Sequence, residues 1–281
     1  MNKSHAQEIN AGDRFEFGKN WGSFLKTIDE DRIESAQRSI ADYLGKASLS
    51  GQTFLDIGCG SGLFSLAARR MGASVRSFDF DPDSVRCAEE LRRRYFPNDN
   101  EWSISEGSVL DPAFMKGLGK FDIVYSWGVL HHTGAMWQAI DLATAAVANN
   151  GSLYIAIYND QAGTSRRWLY IKKLYNRSSL GKSLVCATVI PYFVLGGLVV
   201  DLMKRTNPLH RYTHYKSNRG MSRMHDYLDW LGGLPFEVAK PEEIFHALQS
   251  KGFRLARLKT CGGGLGCNEF HFTNVGMIEC T

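Results

Sequence analysis

Residues 55–64 read LDIGCGSGLF: an apolar run carrying Asp56, then three glycines, then helix-forming residues. With Thr53 and Phe54 upstream, "TFLDIG" reads as a strand and "LFSLAARRMG" as a helix stopped at Gly72. Glycine accepts positive φ and lets the backbone approach a bound molecule closely. Gly58, Gly60 and Gly62 thus form a strand-to-helix turn suited to holding a ligand. Asp79 ends the next predicted strand, "SVRSFDF", about twenty residues on, where a carboxylate accepts hydrogen bonds from ribose hydroxyls. The pair points to an adenosine-type ligand.

The turn departs from the dinucleotide fingerprint GxGxxG, because Leu63 stands where that pattern needs its last glycine. Asp56, just before the glycines, repels a pyrophosphate and suits a cation. Both features favour a ligand with a positive amino-acid end over a nicotinamide dinucleotide.

Outward from the turn, strands and helices alternate. "DPDSVRCAEELRRRYF" is a helix with Asp81 as N-cap and Pro82 at its first position. "WSISEG", "FDIVYSW" and "GSLYIAIYN" read as strands, and residues 135–148 as a helix. Upstream, Ile33, Ala36, Ile40 and Leu44 mark an amphipathic helix over 31–44. Downstream, "KPEEIFHALQSKGF" is a helix from Pro241 to Gly252, followed by the strands "FRLARLKT" and "NEFHFTN". This alternation predicts an α/β fold, an open and mostly parallel sheet with helices on both faces. Four segments follow: an aromatic N-terminal segment and helix over 1–50, a cofactor-binding core over 51–158, a helical and basic cap insertion over 159–240, and a closing helix with two strands over 241–281.

The 281 residues are 44% hydrophobic and 22% charged, enough for one elaborated domain with a sizeable core. A net charge of +4 does not by itself imply nucleic acid. The six cysteines form no CxxC pair or Cys/His cluster, so no metal site and reduced thiols are expected. The first residues carry no apolar signal-type region, so a cytoplasmic location is expected.

The motifs "LDIGCGSG", "SFDFDPDSV", "EGSVLD" and "FDIVYSWGVLHHT" occur in order over residues 53–133, and together resemble the class I S-adenosylmethionine-dependent methyltransferases. The "VLHH" after the fourth strand is similar to that of the small-molecule branch, the ubiquinone-biosynthesis O-methyltransferases. The resemblance implies a Rossmann-like seven-stranded sheet and S-adenosylmethionine as cofactor, with S-adenosylhomocysteine as product. It implies that Gly58, Gly60 and Gly62, with Cys59 in the same loop, pass close to the methionine part, and that Asp56 lies near its ammonium or orders the loop. Asp79 would hold the ribose, Phe80 would lie against the adenine, Ser108 and Val109 would meet the adenine edge, and Trp127 would line the pocket. Ser108 departs from the aspartate often found there, so the adenine contact falls to the backbone or to Asp111.

Methyl transfer to a hydroxyl needs orientation, exclusion of water and a proton acceptor. His131 and His132 follow the fourth strand at its ligand-facing end, with His132 the stronger candidate base and loop-shaping the alternative. His225 and Asp226 form a second candidate pair. Asn159 and Asp160 either touch substrate or cap the next helix, and Trp21 with its neighbours either closes the pocket or packs on the sheet edge. "CGGGLGCNEF", residues 261–270, reads as a flexible hairpin, with a place at the pocket border as the alternative.

Residues 184–203, LVCATVIPYFVLGGLVVDLM, are long enough to span a membrane but are interrupted by Pro191, Gly196, Gly197 and Asp201. A buried cap helix is the first expectation, with an interface-lying segment and a span as alternatives. Lys204, Arg205, Arg211, Lys216, Arg219 and Arg223 follow with no acidic residue up to His225, and Arg166, Arg167, Lys172 and Lys173 precede. Such asymmetry suits an anionic substrate group or peripheral contact with an anionic membrane. The expected function is methyl transfer to a small-molecule acceptor, on oxygen first, with an amphipathic or anionic, lipid- or sugar-like substrate as the finer expectation. The alternatives are a nucleic-acid methyltransferase, an NAD-type oxidoreductase and a non-catalytic cofactor binder. No nucleic acid is expected as partner, because no motif for holding a flipped base occurs. The oligomeric state is open.

Overall fold

The computed structural model describes residues 5–207 and 230–276. Its centre is a seven-stranded sheet in the order β3-β2-β1-β4-β5-β7-β6. The strands are β1 (Thr53–Ile57), β2 (Ser74–Asp79), β3 (Trp102–Glu106), β4 (Phe121–Trp127), β5 (Val147–Tyr158), β6 (Phe253–Lys259) and β7 (Cys267–Asn274). The first five pair in parallel, and β7 inserts antiparallel between β5 and β6. The strand order reverses between β1 and β4, and a crevice opens at such a switch point beyond the carboxyl ends of the strands.

Side chains alternate across the sheet. Leu55, Ile57, Val124, Leu153 and Ile155 feed one core with α6 (Pro112–Leu118), α7 (Met136–Ala145) and α10 (Pro241–Gln249). Phe54, Ile123, Tyr125 and Tyr154 feed the other, with α2 (Phe17–Leu25), α3 (Glu30–Leu44), α4 (Leu63–Arg70) and α5 (Pro82–Tyr95). Covering both faces is what makes these strands nearly continuous apolar runs.

The helix ends follow local chemistry. Asp29 and Asp81 cap α3 and α5 by accepting hydrogen bonds from the backbone N–H of Arg32 and Asp83, and Gly45 closes α3 in the left-handed conformation. The sequence reading missed α1 (His5–Asn10), α2 and α6. For α6 the signal was present, since Asp111 caps it through Ala113 and Phe114 with Pro112 at its first position. The expected helix 135–148 stops at Ala145, because Val147 pairs with Phe121 and the strand takes the next residues.

The insertion begins with α8 (Gly163–Arg177) and α9 (Ser179–Met203), which pack as a pair around Trp168, Tyr175 and Val185. The expectation that 184–203 is buried is corrected. Within α9 only 6% of its most apolar window is buried, because α8 covers one stripe and nothing among the described residues covers the rest.

Candidate active site

A cavity of about 1190 Å³ lies at the carboxyl ends of β1, β2 and β4, reaching β5 and β7. Single small-molecule pockets run to roughly 300–1,000 Å³, so this one lies above that range. Asp56, Gly58, Cys59, Gly60, Asp79, Phe80, Ser108, Val109, Trp127 and His132 all line it. Gly62 does not, and its role is packing. Its φ is +81°, and a Cβ there would sit 2.9 Å from the Cα of Ala88, so α4 and α5 could not approach as they do.

Two carboxylates fix the turn. Asp79 accepts hydrogen bonds from the backbone N–H of Gly60 and of Asp81, both at 2.9 Å, which ties the loop after β1 to the tip of β2. Burial pushes the Asp79 carboxyl up to about 6. Asp56 is almost fully buried and accepts from the Ser65 hydroxyl at 2.5 Å. Burial pushes it up to about 7, against the Ser65 hydrogen bond. Behind it runs a buried chain: the Trp102 indole N–H donates to Ser77 Oγ at 3.0 Å, and Ser77 Oγ lies 2.7 Å from Ser65 Oγ. This chain joins β1, α4, β2 and β3, and no local motif signals that these residues meet.

The N-terminal segment forms a wall. Trp21 lines the cavity over the glycine turn, and a Cβ on Gly60 would come within 2.9 Å of its indole. Phe17 lies 5.1 Å from the His132 ring, and the Arg14 guanidinium 5.0 Å from the Phe80 ring. Arg14 pairs with Glu8 and donates to the His132 carbonyl oxygen at 3.1 Å. Phe17 is one of the N-terminal aromatics expected either to close the pocket or to pack on the sheet edge, whereas Arg14 and Glu8 were not singled out from sequence, because a lone Arg or Glu there has no motif around it.

The two histidines separate. His132 lines the cavity, and its Nδ1 lies 2.6 Å from the carbonyl oxygen of Pro235. A carbonyl only accepts, so Nδ1 carries the proton and Nε2 keeps its lone pair. Burial first, then the Lys172 charge, holds this imidazole down to about 3, hence neutral. His131 is fully buried, lies off the cavity and packs 3.9 Å from the Tyr158 ring. Burial drives its pKa well down, and its Nε2 has no hydrogen-bond partner. A catalytic role for His131 is therefore corrected to a packing role. His225 and Asp226 lie outside the described residues.

The return of the insertion holds this corner. The backbone N–H of Glu237 donates to the His131 carbonyl at 3.0 Å, and the Glu237 carboxylate accepts from the Met136 N–H at the start of α7. Asn159 and Asp160 stay off the cavity: Asp160 accepts from the Ala162 N–H, and Asn159 bonds Asn268. Of the glycine-rich hairpin, Gly266 and Cys267 line the cavity with Leu265, while Gly262–Gly264 do not. Among the described residues no group of three or more His, Cys, Asp or Glu side chains forms a metal site.

Comparison with known proteins places this arrangement. A family described as "Methyltransferase domain" matches residues 28–193, more than half of the chain. The chain belongs to this family, and its sheet has the fold of the class I S-adenosylmethionine-dependent methyltransferases. It is similar to a ubiquinone biosynthesis O-methyltransferase of Methylobacterium sp. (strain 4-46), 31% identical over 124 residues, covering 42% of this chain and 45% of that protein. It is also similar to a ribosomal protein L11 methyltransferase of Bacillus cereus (strain AH820), 28% identical over 123 residues and covering 39% of each. The matches thus span less than half the length of these relatives. In fold it is similar to PKMT2 from Rickettsia typhi in complex with AdoHcy, with TM-score 0.55, 14% identity and coverage of 87% of this chain and 53% of that one. It is likewise similar to magnesium protoporphyrin IX methyltransferase from Synechocystis PCC 6803 with bound SAH, with TM-score 0.52, 16% identity and coverage of 87% and 84%.

The residues present fit S-adenosylmethionine. A positive-φ glycine turn, two carboxylates at the switch point and an aromatic ring after β2 share one cavity. The anionic carboxylates suit the cationic donor and its ribose hydroxyls.

Proposed function

We propose that the protein moves the methyl group of S-adenosylmethionine to a hydroxyl oxygen of an amphipathic small molecule, with His132 receiving the proton. The observation that carries this reading is the 2.6 Å contact between His132 Nδ1 and the Pro235 carbonyl oxygen in a cavity-lining residue. It leaves Nε2 unprotonated. The bound cofactor supplies an electrophilic methyl group on sulfur. His132 Nε2 would take the proton of the acceptor hydroxyl as its oxygen gains the methyl group, while the sulfur keeps the electron pair of the broken C–S bond and leaves in S-adenosylhomocysteine. A weak base suffices, because an oxygen gaining a third bond is a far stronger acid than imidazolium.

The rest of the wall supports an amphipathic acceptor. Trp21, Phe64, Tyr125, Trp127, Tyr158 and Trp230 supply apolar surface that excludes water. The lining cations among the described residues, Arg14 and Lys259, are each paired, with Glu8 and Glu269. Arg166, Arg167 and Lys173, expected as possible anchors for an anionic substrate group, face outward instead. A neutral hydroxyl-bearing head is the better match to this wall. The test is to incubate the protein with methyl-labelled donor and a cell extract, then identify the labelled product. An O-methyl ether supports the reading, and a methyl ester, or label on nitrogen, sulfur or carbon, overturns it.

A further inference from the structure

α9 is 25 residues long, about 37 Å at 1.5 Å per residue, with mean hydropathy 2.2 in its most apolar window. One stripe, with Cys186, Val189, Ile190 and Phe193, packs on α8. The rest is bare: Leu180 and Met203 are 80% exposed, Tyr192 70% and Leu195 60%. Scattered exposed apolar side chains are ordinary, but a bare apolar face running from Leu180 to Met203 marks an interaction surface.

Charge indicates what covers it. Arg166, Arg167, Lys173 and Arg177 are exposed on α8, and Lys204 and Arg205 are exposed just after α9. Across residues 163–207 the sole acid is Asp201, which is buried. The exposed charges of the α8–α9 segment, residues 163–207, are therefore all basic, which complements anionic lipid headgroups.

Topology decides between crossing and lying flat. β5, before the insertion, pairs residue by residue with β7, after it, so both ends of the insertion lie on the same side of any bilayer. A single crossing is excluded. Among the described residues α9 is the one helix long and apolar enough to cross, and residues 208–229 hold four Lys/Arg and no apolar run of that length.

We propose that α9 docks flat in the interface of an anionic bilayer, with the basic residues of α8 and of the α9 end on the headgroups. Phe193 of α9 lines the cavity and stacks on Trp168 at 5.7 Å, so the docked helix is also part of the cavity wall. Docking brings the cavity to the leaflet from which an amphipathic acceptor enters. That last clause rests on the proposed function; the docking does not.

The test is flotation of the full chain with vesicles of phosphatidylcholine alone or mixed with phosphatidylglycerol, alongside S-adenosylhomocysteine binding by calorimetry. Leu195→Glu with Val199→Glu alters the bare face, and Arg166→Glu, Arg167→Glu with Lys173→Glu alters the basic rim; none of the five lines the cavity. The wild type should float with anionic vesicles and detach as salt rises. The apolar pair should lose flotation at least tenfold, and the basic triple about 100-fold, at roughly fivefold per cation removed. All variants should keep S-adenosylhomocysteine affinity, so failure of the cofactor site reads out separately. No flotation of the wild type, unchanged flotation of the apolar pair, or burial of the face in a dimer seen by light scattering overturns the proposal.

Discussion

His132 and Pro235 are 103 residues apart in sequence, yet the imidazole Nδ1 and the Pro235 carbonyl oxygen lie 2.6 Å apart. The returning end of the insertion thus sets the tautomer of a side chain that the sheet delivers to the cavity. The two parts of the chain act as one site.

His132→Ala should lower kcat by about 10²–10⁴-fold while S-adenosylhomocysteine affinity changes only a few-fold. Single-turnover kinetics with an identified acceptor check this. A variant with unchanged kcat removes His132 from the chemistry.

pH should act on folding and on cofactor binding in opposite directions. Burial raises Asp56 to about 7 and Asp79 to about 6, both above the unfolded value of 3.8. Between about pH 4 and pH 7 the folded ligand-free protein therefore holds protons that the unfolded chain has released. The contribution of these two groups to stability is fully present at the acid end of that window, and is lost as pH rises through 6 and 7. Binding a cationic donor and its ribose hydroxyls needs the carboxylates ionised. The rise in Tm caused by S-adenosylmethionine should accordingly grow from about pH 5.5 to about pH 8. Asp79→Asn should flatten that growth, and a flat wild-type profile contradicts the assignment.

Ser65→Ala should destabilise the fold by about 1–3 kcal/mol, since it strips the side-chain hydrogen bond that Asp56 receives from Ser65 and breaks the chain to Ser77 and Trp102. Urea denaturation measures it. A change within error would show that the buried chain contributes nothing net.

Gly62→Ala should cost about 1–3 kcal/mol, because its positive φ and the 2.9 Å approach to the Ala88 backbone both resist a Cβ. Gly117→Ala is the control: a Cβ there meets nothing within 4 Å. Equal melting temperatures for the two variants contradict the packing argument.

The core was legible because its signals are local. Strand periodicity, the glycine turn, Asp79 at the strand tip and the Asp81-Pro82 cap each lie within a few residues of what they determine. The far wall was not. Arg14 reaching the His132 carbonyl and Glu237 capping α7 join residues more than 100 positions apart, with no motif to link them. α9 misled for another reason. Its composition fits a core helix and a lipid-facing helix equally well, and only its exposure of Leu195 and Met203 separates them. Sequence favoured His132 only slightly over its neighbour, and it is the short 3₁₀ turn at Leu130–His132 that sends His131 into the core and His132 to the cavity.

Titration calorimetry of the purified chain with S-adenosylmethionine and S-adenosylhomocysteine tests the central claim most directly. Binding should saturate well below about 1 mM. Asp79→Ala should weaken it by about 10–100-fold through the lost charged hydrogen bonds, and Gly60→Val by at least as much, since its φ of +53° and the Trp21 indole leave no room for a side chain. No heat of binding at millimolar ligand, or full affinity in both variants, contradicts the account.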